Sequence, residues 1–204
     1  MSKVKFCGLT RKEDVENANE LLPEYVGFVF AKDSRRYISY QKASELKNLL
    51  DSRILAVGVF VDENIENIVE LLNNQVIDIV QLHGNESEEY IKSLSCLTDK
   101  PIIKAFRIEC ADDVVPAQNS SADFVLLDAK NGGSGKSFDW DLIKNFTRDY
   151  FLAGGLNTQN IKKAIEILRP FAIDVSSGIE TKGFKDKNKM SALLDIVRGK
   201  DMVK

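Results

Sequence analysis

Several residues have the right chemistry to act on a small anionic substrate. Cys7 is a thiol followed at once by Gly8. Asp128 closes the apolar run Phe124-Val125-Leu126-Leu127, and Asp174 closes Ala172-Ile173. Arg35 and Arg36 follow Ser34, and the one histidine, His83, stands in Gln81-Leu82-His83-Gly84. A thiol near positive charge can serve as a thiolate base. A carboxyl at the end of an apolar stretch can hold its proton and donate it. An arginine fork suits a carboxylate. Gly154-Gly155 and Ser176-Ser177-Gly178 could turn backbone N–H groups toward one point, as a phosphate needs, with a short helix starting near Gly178 adding its positive end.

Each of these has a plainer reading. Cys7 could be a packing residue. Asp128 could cap the glycine-rich stretch after it, and Asp174 could hold a neighbouring loop. Arg35 and Arg36 could be a solvated basic pair, His83 a rim histidine, and the glycines simple turn residues. The residues taken singly do not decide between these readings.

The elements that must carry them are more legible. Near-continuous apolar runs recur at Val4–Cys7, Tyr25–Phe30, Leu55–Val61, Ile77–Leu82, Ile102–Phe106, Phe124–Asp128, Phe151–Ala153 and Ala172–Val175. Strands buried on both faces of a parallel sheet read this way. Between them lie amphipathic segments. Lys12–Leu22 brings Val15, Ala18, Leu21 and Leu22 onto one stripe, and Ile65–Leu72 repeats Ile65, Ile68, Val69 and Leu72. Thr158 is placed to cap a helix running to Leu168, with Pro170 after its end. Pro116 interrupts the fifth such segment, which is the least clear. Eight units in 204 residues is about 25 residues each, at the short end for a (β/α)8 TIM barrel. An open doubly wound sheet is the alternative. It is disfavoured because no GxGxxG follows the first strand and because the polar residues end many strands rather than one crevice. The expected architecture is therefore α/β, a (β/α)8 barrel formed by residues 1–204 as a single domain. Its site lies where the strands end, which collects Cys7, Arg36, His83, Asp128, Gly154, Gly155, Asp174, Ser177 and Gly178 at one mouth.

Composition removes other function classes. Hydrophobic residues are 44%, charged residues 29%, and the net charge is -3, so neither a nucleic-acid groove nor a membrane partner is expected. No apolar run approaches a membrane span, and the N-terminal stretch is too short for a secretion signal. Three cysteines without a CxxC pair suit free thiols in the cytoplasm, and one histidine argues against a zinc site. Gly132-Gly133-Ser134-Gly135-Lys136-Ser137 mimics the end of a P-loop. The first glycine of that motif would fall at position 130, which is Lys130. The segment reads instead as a loop that closes over the mouth.

Taken in order, the strand-end motifs resemble the phosphoribosylanthranilate isomerases of tryptophan biosynthesis. The matching stretches are Lys5-Phe6-Cys7-Gly8, Gly27-Phe28-Val29-Phe30, Ser34-Arg35-Arg36-Tyr37-Ile38, Val57-Gly58-Val59-Phe60, Gln81-Leu82-His83-Gly84, Leu126-Leu127-Asp128, Gly132 to Lys136 with Phe138-Asp139-Trp140, Ala153-Gly154-Gly155-Leu156-Asn157 and Asp174 to Glu180. The resemblance spans the chain. A proline often stands where Arg35 does, which bears only on the stiffness of that loop. The resemblance implies an Amadori rearrangement of a sugar phosphate without cofactor, Asp128 as general acid, Cys7 as general base and Arg36 on the substrate carboxylate. It places phosphate on the backbone around Gly154, Gly155, Ser177 and Gly178. A related isomerase of histidine biosynthesis is the nearer rival, but it carries a carboxylate at the end of the first strand. A non-catalytic sugar-phosphate-binding barrel is the more distant one, and would need neither acid nor base. No apolar stretch stands out as an interface, so a monomer is expected.

Overall fold

The computed structural model describes residues 1–129 and 140–199. Eight parallel strands close into a barrel: β1 (Lys3–Cys7), β2 (Tyr25–Val29), β3 (Leu55–Phe60), β4 (Ile79–Leu82), β5 (Ile102–Ile108), β6 (Phe124–Ala129), β7 (Tyr150–Leu152) and β8 (Ala172–Val175). Closure comes from β8 pairing back to β1, with Lys3 opposite Ala172 and Lys5 opposite Asp174. The helices α1 (Lys12–Leu21), α2 (Tyr40–Lys47), α3 (Ile65–Asn73), α4 (Glu88–Ser95), α5 (Val114–Asn119), α6 (Ile161–Leu168) and α7 (Lys187–Val197) lie between and after the strands. The short hairpin β9 (Glu180–Thr181) and β10 (Phe184–Lys185) follows β8.

Alternation along each strand divides the core in two. Val4 and Phe6 of β1 face outward and pack with Val15 and Ala18 of α1. The inward set forms a second cluster of Tyr25, Val57, Ile79, Ile103, Leu126, Phe151 and Ala172. Aromatic rings seal the N-terminal end of the barrel. Tyr25 and Phe151 have centroids 5.5 Å apart, Phe124 stacks on Phe171 at 5.0 Å, and the Lys3 ammonium lies 4.5 Å from the Phe171 centroid. With that end plugged, the inward polar positions gather at the other.

Two expectations change. The sixth helix starts at Ile161 rather than near Thr158, with Asn160 at its N-cap. Asn160 donates to the Gly155 carbonyl at 3.1 Å and accepts from the Asn157 N–H at 2.9 Å, so this side chain shapes the loop after β7 instead of capping the helix. Between β6 and β7, the described residues contain only a 3-10 turn, Trp140–Ile143, where a helix is expected. The glycine-rich stretch Gly132–Gly135, with Lys136, Phe138 and Asp139, lies outside the described residues.

The unclear fifth unit becomes a 3-10 turn at Ala111–Asp113 and the short α5. Pro116 sits in the first turn of α5, where a backbone N–H has no helical partner to lose. The carbonyls at the other end are held by one side chain. Arg148 donates to Ala117 at 3.2 Å, Ser120 at 2.7 Å and Ala122 at 2.6 Å. Arg148→Ala strands these acceptors and should lower stability by roughly 1–3 kcal/mol. The expected result is a lower urea midpoint with an unchanged slope. An unchanged midpoint means that α5 does not depend on Arg148.

Candidate active site

At the C-terminal end of the strands lies a cavity of about 310 Å³ whose lining includes Cys7, Arg36, His83, Asp128, Gly154, Gly155, Asp174 and Ser177. Alternation accounts for the main members. Cys7 is two positions beyond the inward Lys5, His83 two beyond Gln81, Asp128 two beyond Leu126, and Ala153 two beyond Phe151.

The thiol has a tight seat. It is half-buried, and β2 offers Gly27 opposite it in register. A side chain at Gly27 would come within 2.8 Å of the Cys7 sulfur, so glycine is required there for the thiol to lie where it does. The Ser176 hydroxyl donates to the Cys7 carbonyl at 2.9 Å and ties β8 to the end of β1. Beneath the thiol, the fully buried Lys5 ammonium donates to both oxygens of Asp174 at 3.0 Å. Burial pushes the Cys7 thiol up from its ordinary value, and the Lys5 ammonium offsets this only in part. The surrounding positive charge therefore does not by itself make a resting thiolate. Asp174 faces Lys5 rather than serving only a loop.

The opposite wall comes from β4 and β6. The Gln81 amide donates to His83 Nδ1 at 3.0 Å, which leaves the hydrogen of the neutral ring on Nε2. That nitrogen stands 3.6 Å from Asp128 Oδ2. The loop bearing His83 is braced by Glu86, which accepts from the Gly84 N–H at 2.9 Å, the Asp62 N–H at 2.9 Å and Lys104 at 2.8 Å. Gln81 Oε1 is buried and has no hydrogen-bond partner among the described residues. It is an acceptor in the wall of the cavity.

Arg36 is already engaged. Its Nε and Nη2 donate to the two oxygens of Glu180 at 2.6 and 2.9 Å, while Arg35 adds a contact at 3.1 Å and Lys185 one at 2.7 Å. Three cations thus converge on one carboxylate. The pair Arg35–Arg36 is therefore not simply solvated.

Gly154 and Gly155 have φ of 95° and 62°, values that favour glycine. Their N–H groups make no hydrogen bond among the described residues, and there is open space where a Gly155 side chain would stand. Ser177–Ile179 forms a single 3-10 turn, the short helix expected at this point. Gly178 packs so closely on this loop that an added Cβ would lie 2.0 Å from the Leu156 carbonyl oxygen. It joins the loops after β7 and β8 rather than lining the cavity.

All nine candidate residues therefore stand at this end of the barrel, eight of them on the cavity. Lys5, Gln81, Glu180 and Lys185 were not picked out from the sequence. Lys5 and Gln81 carried a signal, since each is polar in an apolar strand and two positions before a candidate.

The chain matches the family model for N-(5'phosphoribosyl)anthranilate (PRA) isomerase over residues 4–196. It is 47% identical to the N-(5'-phosphoribosyl)anthranilate isomerase of Endomicrobium trichonymphae over 202 residues, covering 97% of this chain and 99% of that protein. The enzyme of that name from Clostridium acetobutylicum is 45% identical over 206 residues, covering 97% and 98%. Among solved structures, phosphoribosyl anthranilate isomerase from Thermotoga maritima superposes with a TM-score of 0.90 at 38% identity, covering 98% of this chain and all of that one. A phosphoribosyl anthranilate isomerase in complex with reduced 1-(o-carboxyphenylamino)-1-deoxyribulose 5-phosphate gives a TM-score of 0.87 at 36% identity, covering 98% and 100%.

The carboxylate at the centre of the cation cluster makes a prediction about acid stability. Burial alone would push Glu180 up, but hydrogen bonds from Arg36 and Lys185 outweigh it and hold the carboxyl below its ordinary value of 4.5. A lowered folded-state value contributes stability that is present above the unfolded value and lost as pH falls through the folded one. Glu180→Gln should therefore be less stable at neutral pH and lose less on acidification below about pH 4.5. Urea midpoints measured from neutral to acid pH test this, and parallel curves for the two proteins would refute it.

Proposed function

Because the chain belongs to the N-(5'-phosphoribosyl)anthranilate isomerase family, we propose that its cavity works through Asp128 as general acid and Cys7 as general base. The enzyme converts N-(5'-phosphoribosyl)anthranilate to 1-(2-carboxyphenylamino)-1-deoxyribulose 5-phosphate, an aldose–ketose isomerisation in tryptophan biosynthesis. What supports the residue roles is that a carboxyl and a thiol reach one cavity from β6 and β1, with the N–H groups of Gly154 and Gly155, unbonded among the described residues, at its rim.

In this reading Asp128 protonates the furanose ring oxygen and the ring opens to a protonated Schiff base. The cation acidifies the C2′ hydrogen, which Cys7 removes. The enolamine then tautomerises to the ketone. The substrate's own nitrogen is the electron sink, so no step calls for a metal or cofactor. A thiol that burial keeps protonated suits this order of events. The iminium charge forms in the cavity before the base is needed, and an adjacent cation lowers the cost of a thiolate. Phosphate rests on the loops after β7 and β8, with Gly178 and Ser177 shaping the second of them. The anthranilate carboxylate takes the open edge of Arg36. His83 Nε2 and Gln81 Oε1 face the sugar, the first as donor and the second as acceptor for a hydroxyl. Anchors at both ends hold the reacting carbon between acid and base.

The working unit is read as one domain and a monomer, since one chain supplies every residue assigned here. The cysteines Cys7, Cys96 and Cys110 are free, which suits a cytoplasmic setting.

Asp128→Asn should lower kcat by at least about 10²-fold while product affinity stays within a few-fold. Turnover of purified variant on phosphoribosylanthranilate, followed by fluorescence, measures the first, and calorimetric titration with product the second. Near-normal kcat removes Asp128 from the acid role. Cys7→Ala should show the same division, with kcat lost and phosphate-end affinity kept. If kcat survives that change, the base lies elsewhere.

A further inference from the structure

We infer that Lys5 is a positioning residue for the base: its ammonium, pinned by Asp174 beneath Cys7, supplies the charge that offsets the thiolate when the thiol gives up its proton. The inference rests on the reading of Cys7 as that base.

The geometry begins with strand alternation. Lys5 and Cys7 are two positions apart on β1 and share its inward face, so one side chain lies directly below the other. Lys5 is 0% exposed and Asp174 9%. An ammonium has three N–H donors. Two go to the Asp174 oxygens at 3.0 Å, and the ammonium so held lies close enough to the thiol for its charge to act on it.

Stability alone does not call for a charge pair at this depth. A buried ion pair is often no better than apolar residues of similar volume. Inward positions on neighbouring strands show the apolar solution, with Tyr25 opposite Lys5 on β2, then Val57 and Ile79. What the pair adds is a fixed cation under the thiol. Asp174 helps keep that lysine charged in a dry place, since burial pulls it down while the carboxylate, with Cys7 after it, pushes it back up.

The other charged groups around the thiol do not replace it. Asp174, from β8, opposes a thiolate. Lys185, from β10, favours one, but it donates to Glu180 at 2.7 Å and to the Ser176 carbonyl at 3.1 Å. Arg36, from the loop after β2, is held by the same Glu180. Asp128 and His83 face the cavity from β6 and β4. Among the described residues, Lys5 is the cation whose charge acts most strongly on Cys7.

The test measures the thiol itself as well as turnover. In a Cys96→Ser, Cys110→Ser background only Cys7 remains to react. The rate of its alkylation by iodoacetamide against pH gives the thiol's inflection, because the thiolate is the nucleophile. Lys5→Met with Asp174→Asn removes both charges together, which spares the fold an unpaired buried ion. Its inflection should rise by about one unit, a tenfold loss of thiolate below the inflection. Lys5→Arg with Asp174 kept retains a cation that burial does not discharge, so its inflection should stay near that of the parent. A residue that only fills space predicts no such difference. If the inflection of the double variant does not rise, or rises as much in Lys5→Arg, the inference is overturned. The second readout is the acid limb of the pH–kcat profile, which should follow each inflection. If the inflection rises in the double variant and not in Lys5→Arg while the kcat limb stays still, the coupling of Lys5 to Cys7 stands and the reading of Cys7 as base is lost.

Discussion

Closing eight parallel strands into a ring leaves every strand between two dry regions. One is the barrel interior, and the other lies between the sheet and the helices. Residues alternate between them, so a strand has no solvated face on which to place a polar group. The aromatic plug of Tyr25, Phe124, Phe151 and Phe171 then shuts one end. What remains is the upper ring of inward positions. Cys7, Gln81, His83, Asp128 and Asp174 all belong to it, supplied by four different strands. Their convergence is a consequence of closure and not of any local sequence signal.

Charge in that ring is managed by pairing. Glu180 collects Arg35, Arg36 and Lys185. Glu86 collects Lys104 and two backbone N–H groups. Asp174 collects Lys5. Each carboxylate holds a loop or a strand end in place through these bonds, so the mouth keeps its shape by electrostatics where a smaller barrel has little room for packing. The Glu180 cluster still carries an excess of positive charge, since three cations face one anion. In the proposed binding mode, that excess gives the substrate carboxylate a cation to meet beside Arg36 without displacing Glu180.

The strands were legible in the sequence because burial on both faces makes their apolar runs nearly continuous. The helices with a clear 3.6-residue repeat, such as Ile65–Asn73, were legible for the matching reason. Thr158 misled because a capping rule weighs a side chain against its own helix, whereas Asn160 is drawn into the loop by the Gly155 carbonyl. The Arg36–Glu180 pair spans 144 positions, a separation at which spacing carries no information. Position at a strand end picked out the candidates, but roles for Cys7 and Asp128 came from the ordered motifs and not from either residue alone. Lys5 could have been found by the rule that found Cys7. A lysine inside an apolar strand, two positions before a strand-end thiol, must lie inward and must have a partner.

That partner helps explain why a thiol suits this strand end. A carboxylate at position 7 would bring a second anion to the ammonium that Asp174 already shares at 3.0 Å. Two carboxylates on one buried cation leave a net negative charge, and one of them would be driven to hold a proton. A thiol avoids the conflict. Burial keeps it neutral before reaction, so Lys5 and Asp174 form a balanced pair and the resting site carries no excess charge at this point. In the mechanism proposed above, the negative charge appears only when the iminium cation is present to balance it. Base strength is then tied to the progress of the reaction, and the fixed ion pair beneath the thiol need not rearrange as the proton leaves.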